Sequence, residues 1–299
     1  LCWPRPAPGR VLALLCLLPV TIGMPADAPE RMRVIALDVG QGLAVIVQTR
    51  RHVMLYDAGP SWRTDDAGAS VVLPVLRKLG IRTLDLLLIS HADMDHRGGA
   101  RSVAERFPDA RLVSTRRWNL PLEHHLDCRH GLTWNWDGVS FEVQSPLASD
   151  YRRWSENDDS CVLAVVAGDV RVVLPGDIER RRERELADRL GSIGADLVLA
   201  PHHGSGSSSS VELIGALRAR HVVFSTGHMN RWHFPSPAVE ARWKASGACT
   251  LNTAETGAVT FEVRDDRLVL IGAERRDSIH AWTVPAEPSD GCDPRRLPR

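Results

Sequence analysis

Apolar residues along the chain come in short runs, each closed by glycine, proline or an acid. Met32-Arg33-Val34-Ile35-Ala36-Leu37-Asp38-Val39 is the first such run. Gly40-Gln41-Gly42 makes a turn, Leu43–Val47 a second strand and Val53–Asp57 a third, stopped by Ala58-Gly59-Pro60. Short runs with this punctuation predict a meander of strands. Val71–Leu79 changes to helical spacing and ends at Gly80. Leu84–Ile89 is nearly all apolar and predicts a buried strand, and Gly98–Phe107 reads as the next helix. Residues 116–138, rich in Trp, His and Arg, show no clear period. Val139–Val143, Cys161–Val166 and Val170–Leu174 predict further strands, the last running into Pro175-Gly176-Asp177. Ile178–Leu190 is a strongly charged helix, and its alternation of Arg with Glu reads as a salt-bridged, solvated face. Asp196–Ala200 is a strand ending in Pro201-His202-His203-Gly204-Ser205, followed by a serine tract and a helix around Val211–Ala219. The strand His221–Ser225 leads into Gly227–Pro235; Ala238–Ala245 is helical and Val259–Val263 a late strand. Strands in two blocks, each followed by helices, predict an α/β fold with two packed sheets between outer helices, an αββα sandwich.

The 299 residues are enough for one large domain or two ordinary ones, and 43% apolar with 25% charged residues is a globular balance. Lys+Arg and Asp+Glu both number 37, so the formal net charge is zero. Nucleic-acid binding would therefore need a local basic patch. The chain opens on Leu1 rather than Met, and is expected to be a piece of a longer one. Val11–Val20, extended by Thr21 and Ile22, is apolar but falls short of the ~20 residues that span a bilayer. Arg5 and Arg10 before it and Pro25, Ala26 and Pro29 after it give the layout of a secretory signal, or of the end of a membrane segment. Either places the remainder at or across a membrane. The expected organisation is an apolar stub and linker over 1–30, one folded domain over 31–275 and a loose tail over 276–299. None of the six cysteines forms a CxxC pair, so a thiolate zinc site is not expected. Cys161 and Cys249 sit in apolar runs as small core residues, while Cys128 and Cys292 are candidates for a pair in an oxidising compartment.

The chemistry concentrates in His91-Ala92-Asp93-Met94-Asp95-His96, followed by Gly98-Gly99, where the buried strand Leu84–Ile89 runs out. A strand alternates its side chains and cannot aim all four polar groups at one point. A tight loop after the strand can. Imidazole nitrogen with carboxylate oxygen suits zinc, manganese or iron. A helix cap would need one aspartate, not four metal-capable groups. Asp177 and His202-His203 end two other strands, and function gathers on such loops.

These motifs, in this order, resemble the metallo-β-lactamase superfamily over about Arg33–Val263. The finer set is Asp38-Val39-Gly40-Gln41-Gly42, Asp57-Ala58-Gly59, His91-x-Asp93-x-Asp95-His96, Gly176-Asp177, Pro201-His202-His203-Gly204-Ser205 and His233-Phe234-Pro235. It is similar to the C-terminal domain of the ComEC family, the DNA-uptake channels of naturally competent bacteria. The resemblance implies an αββα sandwich with a one- or two-metal site (Zn or Mn) in the cleft between the sheets. It assigns His91 and Asp93 to the first metal, Asp95 and His96 to the second, Asp177 as the bridge, and His203 to the second metal with His202 as the fallback. Asp57 would brace a metal-binding His from behind, or cap a turn. Asp38 and Gln41 would build the turn bordering the site, and Gly98 and Gly99 would let the next helix approach the metals. Asp95 and His233 are the catalytic candidates, His233 as proton donor to the leaving oxygen or phosphate holder, with loop packing beside Trp232 and Phe234 as its other reading.

Two departures from the pattern matter. Asp93 stands where the superfamily commonly has His, which hardens the first site. The third motif falls on Glu156-Asn157-Asp158-Asp159-Ser160, which has no His; either Asn157 or Asp158 ligates weakly in its place, or the first metal is poorly held. Arg116-Arg117-Trp118, Arg152-Arg153-Trp154 and Arg231-Trp232 are the candidate contacts for single-stranded DNA, since Arg binds phosphate and Trp stacks on bases. The expected partners are DNA and a membrane channel portion of the same polypeptide, with no nucleotide cofactor. The expected location is the bacterial inner membrane, with this domain on its outer, periplasmic face. Two functions compete: a nuclease that degrades the strand not taken up, and a non-catalytic module that guides DNA at the channel. A lactamase-like small-molecule hydrolase ranks below both.

Overall fold

A computed structural model describes residues 28–147 and 157–277. The apolar run Val11–Val20, Cys292 and Arg152-Arg153-Trp154 lie outside the described residues. The first sheet is built from β1 (Met32–Ala36), β2 (Val45–Thr49), β3 (Val53–Tyr56), β4 (Leu86–Ile89), β5 (Arg111–Ser114) and β6 (His125–Asp127). The second holds β7 (Thr133–Trp136), β8 (Val139–Ser145), β9 (Val162–Ala167), β10 (Val170–Leu174), β11 (Leu197–Leu199), β12 (His221–Phe224) and β13 (Cys249–Asn252). The chain then returns to the first sheet as β14 (Val259–Arg264) and β15 (Arg267–Ala273). The strand orders are β15-β14-β1-β2-β3-β4-β5-β6 and β13-β12-β11-β10-β9-β8-β7. The outer layers carry helices α1 (Leu73–Lys78), α2 (Met94–Arg97), α3 (Ala100–Arg106), α4 (Arg180–Leu190), α5 (Val211–Leu217) and α6 (Pro237–Ala245). This is the αββα sandwich that the strand blocks predict.

Its core has three seams. Leu86 and Leu88 of β4 face the other sheet, among Val34, Val165, Val172 and Phe261. Leu87 and Ile89 face the helix layer, among Leu76 and Val103. Covering on both faces explains why Leu84–Ile89 reads as an unbroken apolar run. Val173, Val198 and Val222 of the second sheet pack on Leu186, Leu213 and Trp243 of α4, α5 and α6.

Parallel pairing fixes where a site can form. β3 pairs parallel with β4, and β10 with β11 and β11 with β12. Their carboxyl ends therefore lie at one edge of the sandwich, where open α/β sheets place ligands. At the far edge, the turn after β7 is tied to the turn after β2. Asp137 accepts hydrogen bonds from Thr49 Oγ1 at 2.7 Å, the Arg51 amide at 2.8 Å and Arg51 Nε at 2.9 Å.

Three local expectations are corrected. Cys161 is not a lone core residue and Cys128 does not pair with Cys292: Cys128 and Cys161 form a disulfide, Cα to Cα 6.0 Å, joining the end of β6 to the start of β9 across the core. Cys249 is disulfide-bonded as well. The charged helix α4 is not wholly solvated, because Arg182 and Glu183 are buried. Glu183 accepts the amides of Ser209 and Ser210 at 2.6 and 2.5 Å, which ties the serine tract to the helix. Finally, Gly98 and Gly99 serve packing against neighbouring backbone rather than approach to metals. A Cβ on Gly98 would lie 2.2 Å from the Ser61 amide nitrogen, and one on Gly99 2.3 Å from the Ala58 carbonyl oxygen.

Gly98 does not have a positive φ, so the cost of adding a methyl there is steric. Gly98→Ala is expected to lower the unfolding free energy by about 1–3 kcal/mol, read from the urea midpoint at unchanged slope.

Candidate metal centre

Each side chain of the centre is delivered by a strand end. Asp57 follows β3, Ser90 and His91 follow β4, Asp177 follows β10, His202 and His203 follow β11, and Ser225 follows β12. The loop His91–His96 folds back through the short helix α2, so that His91 and Asp95 fall on either side of His96 in two adjoining groups rather than alternating. Gly42 makes room for this loop: a Cβ there would lie 2.3 Å from the Asp95 carbonyl oxygen, which the Leu43 amide instead reaches at 3.0 Å. Asp38 and Gln41 belong to that bordering turn, Asp38 accepting from the Gly40 amide and Gln41 Oε1 from the Gly227 amide, each at 3.3 Å.

Seven of the eight expected site residues converge. The ligand atoms of His91, His96 and Asp177 lie within 4.8 Å of one another, as do those of Asp95, His96 and His203. Asp177 presents its two oxygens to different partners. Oδ1 is 3.1 Å from His96 Nε2; Oδ2 is 3.4 Å from His203 Nε2, 3.8 Å from His202 Nε2 and 4.0 Å from His91 Nε2. Asp93 stands 3.6 Å from His91 Nε2, and Asp95 3.4 Å from His203 Nε2. His96 thus sits in both groups instead of one. His202 and His203 both turn toward Asp177 because both adopt left-handed backbone, φ 47° and 54°, strain that concentrates at functional sites. His203 is buried in the cluster. His202 is outside both ligand groups, with its Nδ1 3.4 Å from Glu179.

His233 is the exception. It is exposed on the Gly227–Pro235 loop, and its ring has no hydrogen bond or ion pair with the cluster among the described residues. Its neighbour Phe234 instead packs edge-on to His202, centroids 5.8 Å apart. In the third-motif segment, Asp158 does not join the ligands; its carboxylate accepts the Glu179 amide at 2.8 Å.

Hydrogen bonds fix the tautomers, and the tautomers say what the centre is for. Asp57 Oδ2 lies 2.7 Å from His96 Nδ1, and the Ser225 carbonyl 2.9 Å from His203 Nδ1. Both partners only accept, so both Nδ1 atoms carry hydrogen and, in its neutral form, each ring turns a bare Nε2 lone pair inward. Those two Nε2 atoms are 3.1 Å apart, beside the Asp177 carboxylate. Lone pairs so opposed require a proton or a cation between them. His91 Nε2 is buried with no hydrogen-bond partner, a further donor aimed at the same space. The donor set of imidazoles and carboxylates fits divalent zinc or manganese.

The charges agree. Burial pushes His96 down, but Asp177 and Asp57 outweigh it and hold the imidazole well above its ordinary range. Burial raises Asp177, but His96 and His203 outweigh it and keep the carboxyl well below the usual value. Asp95 is brought down to about 2, the burial penalty being outweighed by the His203 hydrogen bond and the His96 ring.

Sequence reasoning found Asp57 but missed Ser90, Ser160 and Ser225. Ser90 clamps Asp57 with its amide and its hydroxyl, each at 2.7 Å, and its only signal was its place directly before His91. Among the DNA-contact candidates, Trp118 packs on the helix-side core under the Arg97 guanidinium, 4.8 Å from the ring centroid, and so is not a free stacking platform. Arg231 and Trp232 are exposed and stacked on each other at 4.2 Å.

With fold and geometry in place, the comparisons agree. Residues 37–228 match the Metallo-beta-lactamase superfamily, and the chain belongs to it. Two solved structures share the fold at low identity. One is CmlA, a diiron β-hydroxylase from Streptomyces venezuelae (TM-score 0.51, 13% identity, 79% of this chain and 55% of that one). The other is a metallo hydrolase from Ignicoccus hospitalis (TM-score 0.50, 17% identity, 78% and 100%). Among the homologues of this chain are competence proteins of the ComEC family. The chain is 36% identical to Recombination protein 2 of Haemophilus influenzae, over 81% of this chain and 30% of that protein. It is 33% identical to Competence protein ComA of Neisseria gonorrhoeae (86% and 36%) and 28% identical to ComE operon protein 3 of Bacillus subtilis (77% and 33%). The chain thus spans about a third of the length of these relatives.

Metal binding at this centre competes with protons. His96 holds its proton well above its ordinary pKa, so an ion taking Nε2 must displace it. Affinity for Mn(II) or Zn(II) should therefore fall as the pH falls and rise as the pH approaches that raised pKa. Calorimetry in buffers of different ionisation enthalpy is expected to show about one proton released per ion near neutral pH. Asp57→Asn, which unlocks the His96 tautomer, should weaken binding about 10–100-fold.

Proposed function

We propose that this domain is the metal-dependent hydrolase of a DNA-uptake protein and that it cleaves phosphodiester bonds in the DNA strand that is not taken up. The observation that carries the reading is the meeting of His91, Asp95, His96, Asp177 and His203 from two sheets, in a chain whose homologues are competence proteins. In this reading His91 and Asp93 would hold one ion, Asp95, His96 and His203 the other, and Asp177, with an oxygen toward each side, would serve both. Two such ions supply Lewis acidity, lowering the pKa of water and neutralising phosphate oxygens.

The chain's own residues do the rest. Asp177 sets the two halves in register through its separate oxygens. Asp57 and the Ser225 carbonyl keep His96 and His203 turned inward. The exposed Arg231–Trp232 pair offers a cation and a stacking face to a single strand. His233, directly after Trp232 and beside the Phe234 that touches His202, is the candidate proton donor to the leaving oxygen. The disulfide supports an oxidising, outer-face location for the domain. Among the described residues no helix is long and apolar enough to cross a membrane; a membrane channel portion of the same polypeptide is proposed from the competence relatives, of which the chain covers about a third. One observation favours the non-catalytic DNA-guiding alternative: Asp158 is spent on the Glu179 amide, which leaves the first metal short of a ligand.

Fluorescently labelled single-stranded DNA with Mn(II) or Zn(II) tests the choice. Wild type should cut, and Asp95→Ala and Asp177→Ala should fall to background with reduced metal content. Bound metal without cutting, together with retained DNA binding, supports the guiding module. His233→Ala should keep its metal and lose about 10²-fold or more in kcat; an unchanged kcat removes His233 from the chemistry.

A further inference from the structure

Cys161 joins the two halves of the centre. It is fully buried at the start of β9, and its three bonding groups all reach the opposite sheet. Its amide donates to the Ser90 carbonyl at 2.9 Å, the residue before His91. Its carbonyl accepts from the Tyr56 hydroxyl at 2.7 Å, the residue before Asp57. Its sulfur is bonded to Cys128 beyond β6. The preceding residue, Ser160, accepts the Asp177 amide on its hydroxyl at 3.0 Å. Tyr56 Oη also lies 3.1 Å from the carbonyl of Leu174, the last residue of β10. Gly176 is wedged against the same residues: a Cβ there would stand 2.9 Å from the Ser160 Cβ and 3.2 Å from the Ser90 Cβ.

Away from this bridge and the polar ties at the edges (Asp137 with Thr49 and Arg51, Gly227 with Gln41, Ser225 with Gly42), the two sheets meet through apolar side chains. Hydrophobic contact is non-directional and does not by itself set a spacing. Metal ligation demands distances held to about 0.2 Å. We propose that Tyr56, Ser160 and Cys161 are positioning residues for the metal pair, fixing the gap between His91/His96 on one sheet and Asp177/His203 on the other. The segment 157–160, which carries no histidine, gives this chain a brace where a ligand would otherwise stand. The inference rests on reading the cluster as a metal centre, but not on what the centre cleaves.

The test uses Tyr56→Phe, which keeps the buried ring and removes only the hydroxyl. A Cys128→Ser/Cys161→Ser double variant is its companion. Each is compared with wild type for metal per chain by mass spectrometry, for Mn(II) affinity by chelator competition, and for the visible spectrum of the Co(II)-substituted protein. Val165→Ala, in the same inter-sheet seam but away from the centre, controls for general loosening. Tyr56→Phe should melt cooperatively, bind Mn(II) about 10-fold or more weakly, and shift the Co(II) bands. Val165→Ala should lose Tm and keep both affinity and spectrum. Wild-type affinity and spectrum in Tyr56→Phe overturn the proposal. So does a Val165→Ala variant whose affinity falls in step with its Tm, or a wild type that takes up no metal. A wild type that binds metal yet leaves DNA uncut refutes the nuclease reading and leaves this one standing.

Discussion

Two imidazole nitrogens held 3.1 Å apart with their lone pairs opposed are the constraint on which this domain turns. Without a proton or a cation between them, such a pair beside a buried carboxylate would repel and open. The structure instead spends Asp57 and the Ser225 carbonyl on keeping both rings in that orientation, and spends Ser90 on keeping Asp57 in place. Backbone strain at His202 and His203 points the same way. A cluster so expensively maintained is arranged for something positively charged to sit within it.

The architecture follows from the need to bring such groups together from distant parts of the chain. Strands paired in parallel point their carboxyl ends in one direction, so loops more than a hundred residues apart reach the same edge without long excursions. His96 and Asp177 come from different sheets and still meet at 3.1 Å. The antiparallel halves of both sheets carry none of the cluster and widen the apolar seam behind it.

Much of this was legible in the sequence, for reasons that can be stated. β4 announced itself because it is buried on both faces, and the His91–His96 loop because four metal-capable groups in six residues have few other uses. Asp57 was legible as a brace because it closes a strand. β5, β6, β7, β13 and β15 escaped because they are short or lie at sheet edges, where one-sided burial leaves a faint pattern; in β7 only Trp134 and Trp136 alternate inward. Arg182 and Glu183 were misjudged because composition cannot say which turn of a charged helix faces a serine tract. The Cys128–Cys161 link was missed because its pairing depends on which strand of one sheet overlies which of the other. Period and propensity do not record that relation.

The Asp137 tie at the far edge has a consequence for how any molecule reaches the centre. With the sandwich pinned there by Thr49 and Arg51, and again beside the cluster through Cys161, the two sheets cannot part like the covers of a book. Admission must come from the gatepost loops alone. The most exposed of them is Gly227–Pro235, whose tip, Met229, stands 88% in solvent while Asn230 ties its base to Gly227 and Phe234, so whatever reaches the cluster meets a slot of fixed width with that loop at its lip.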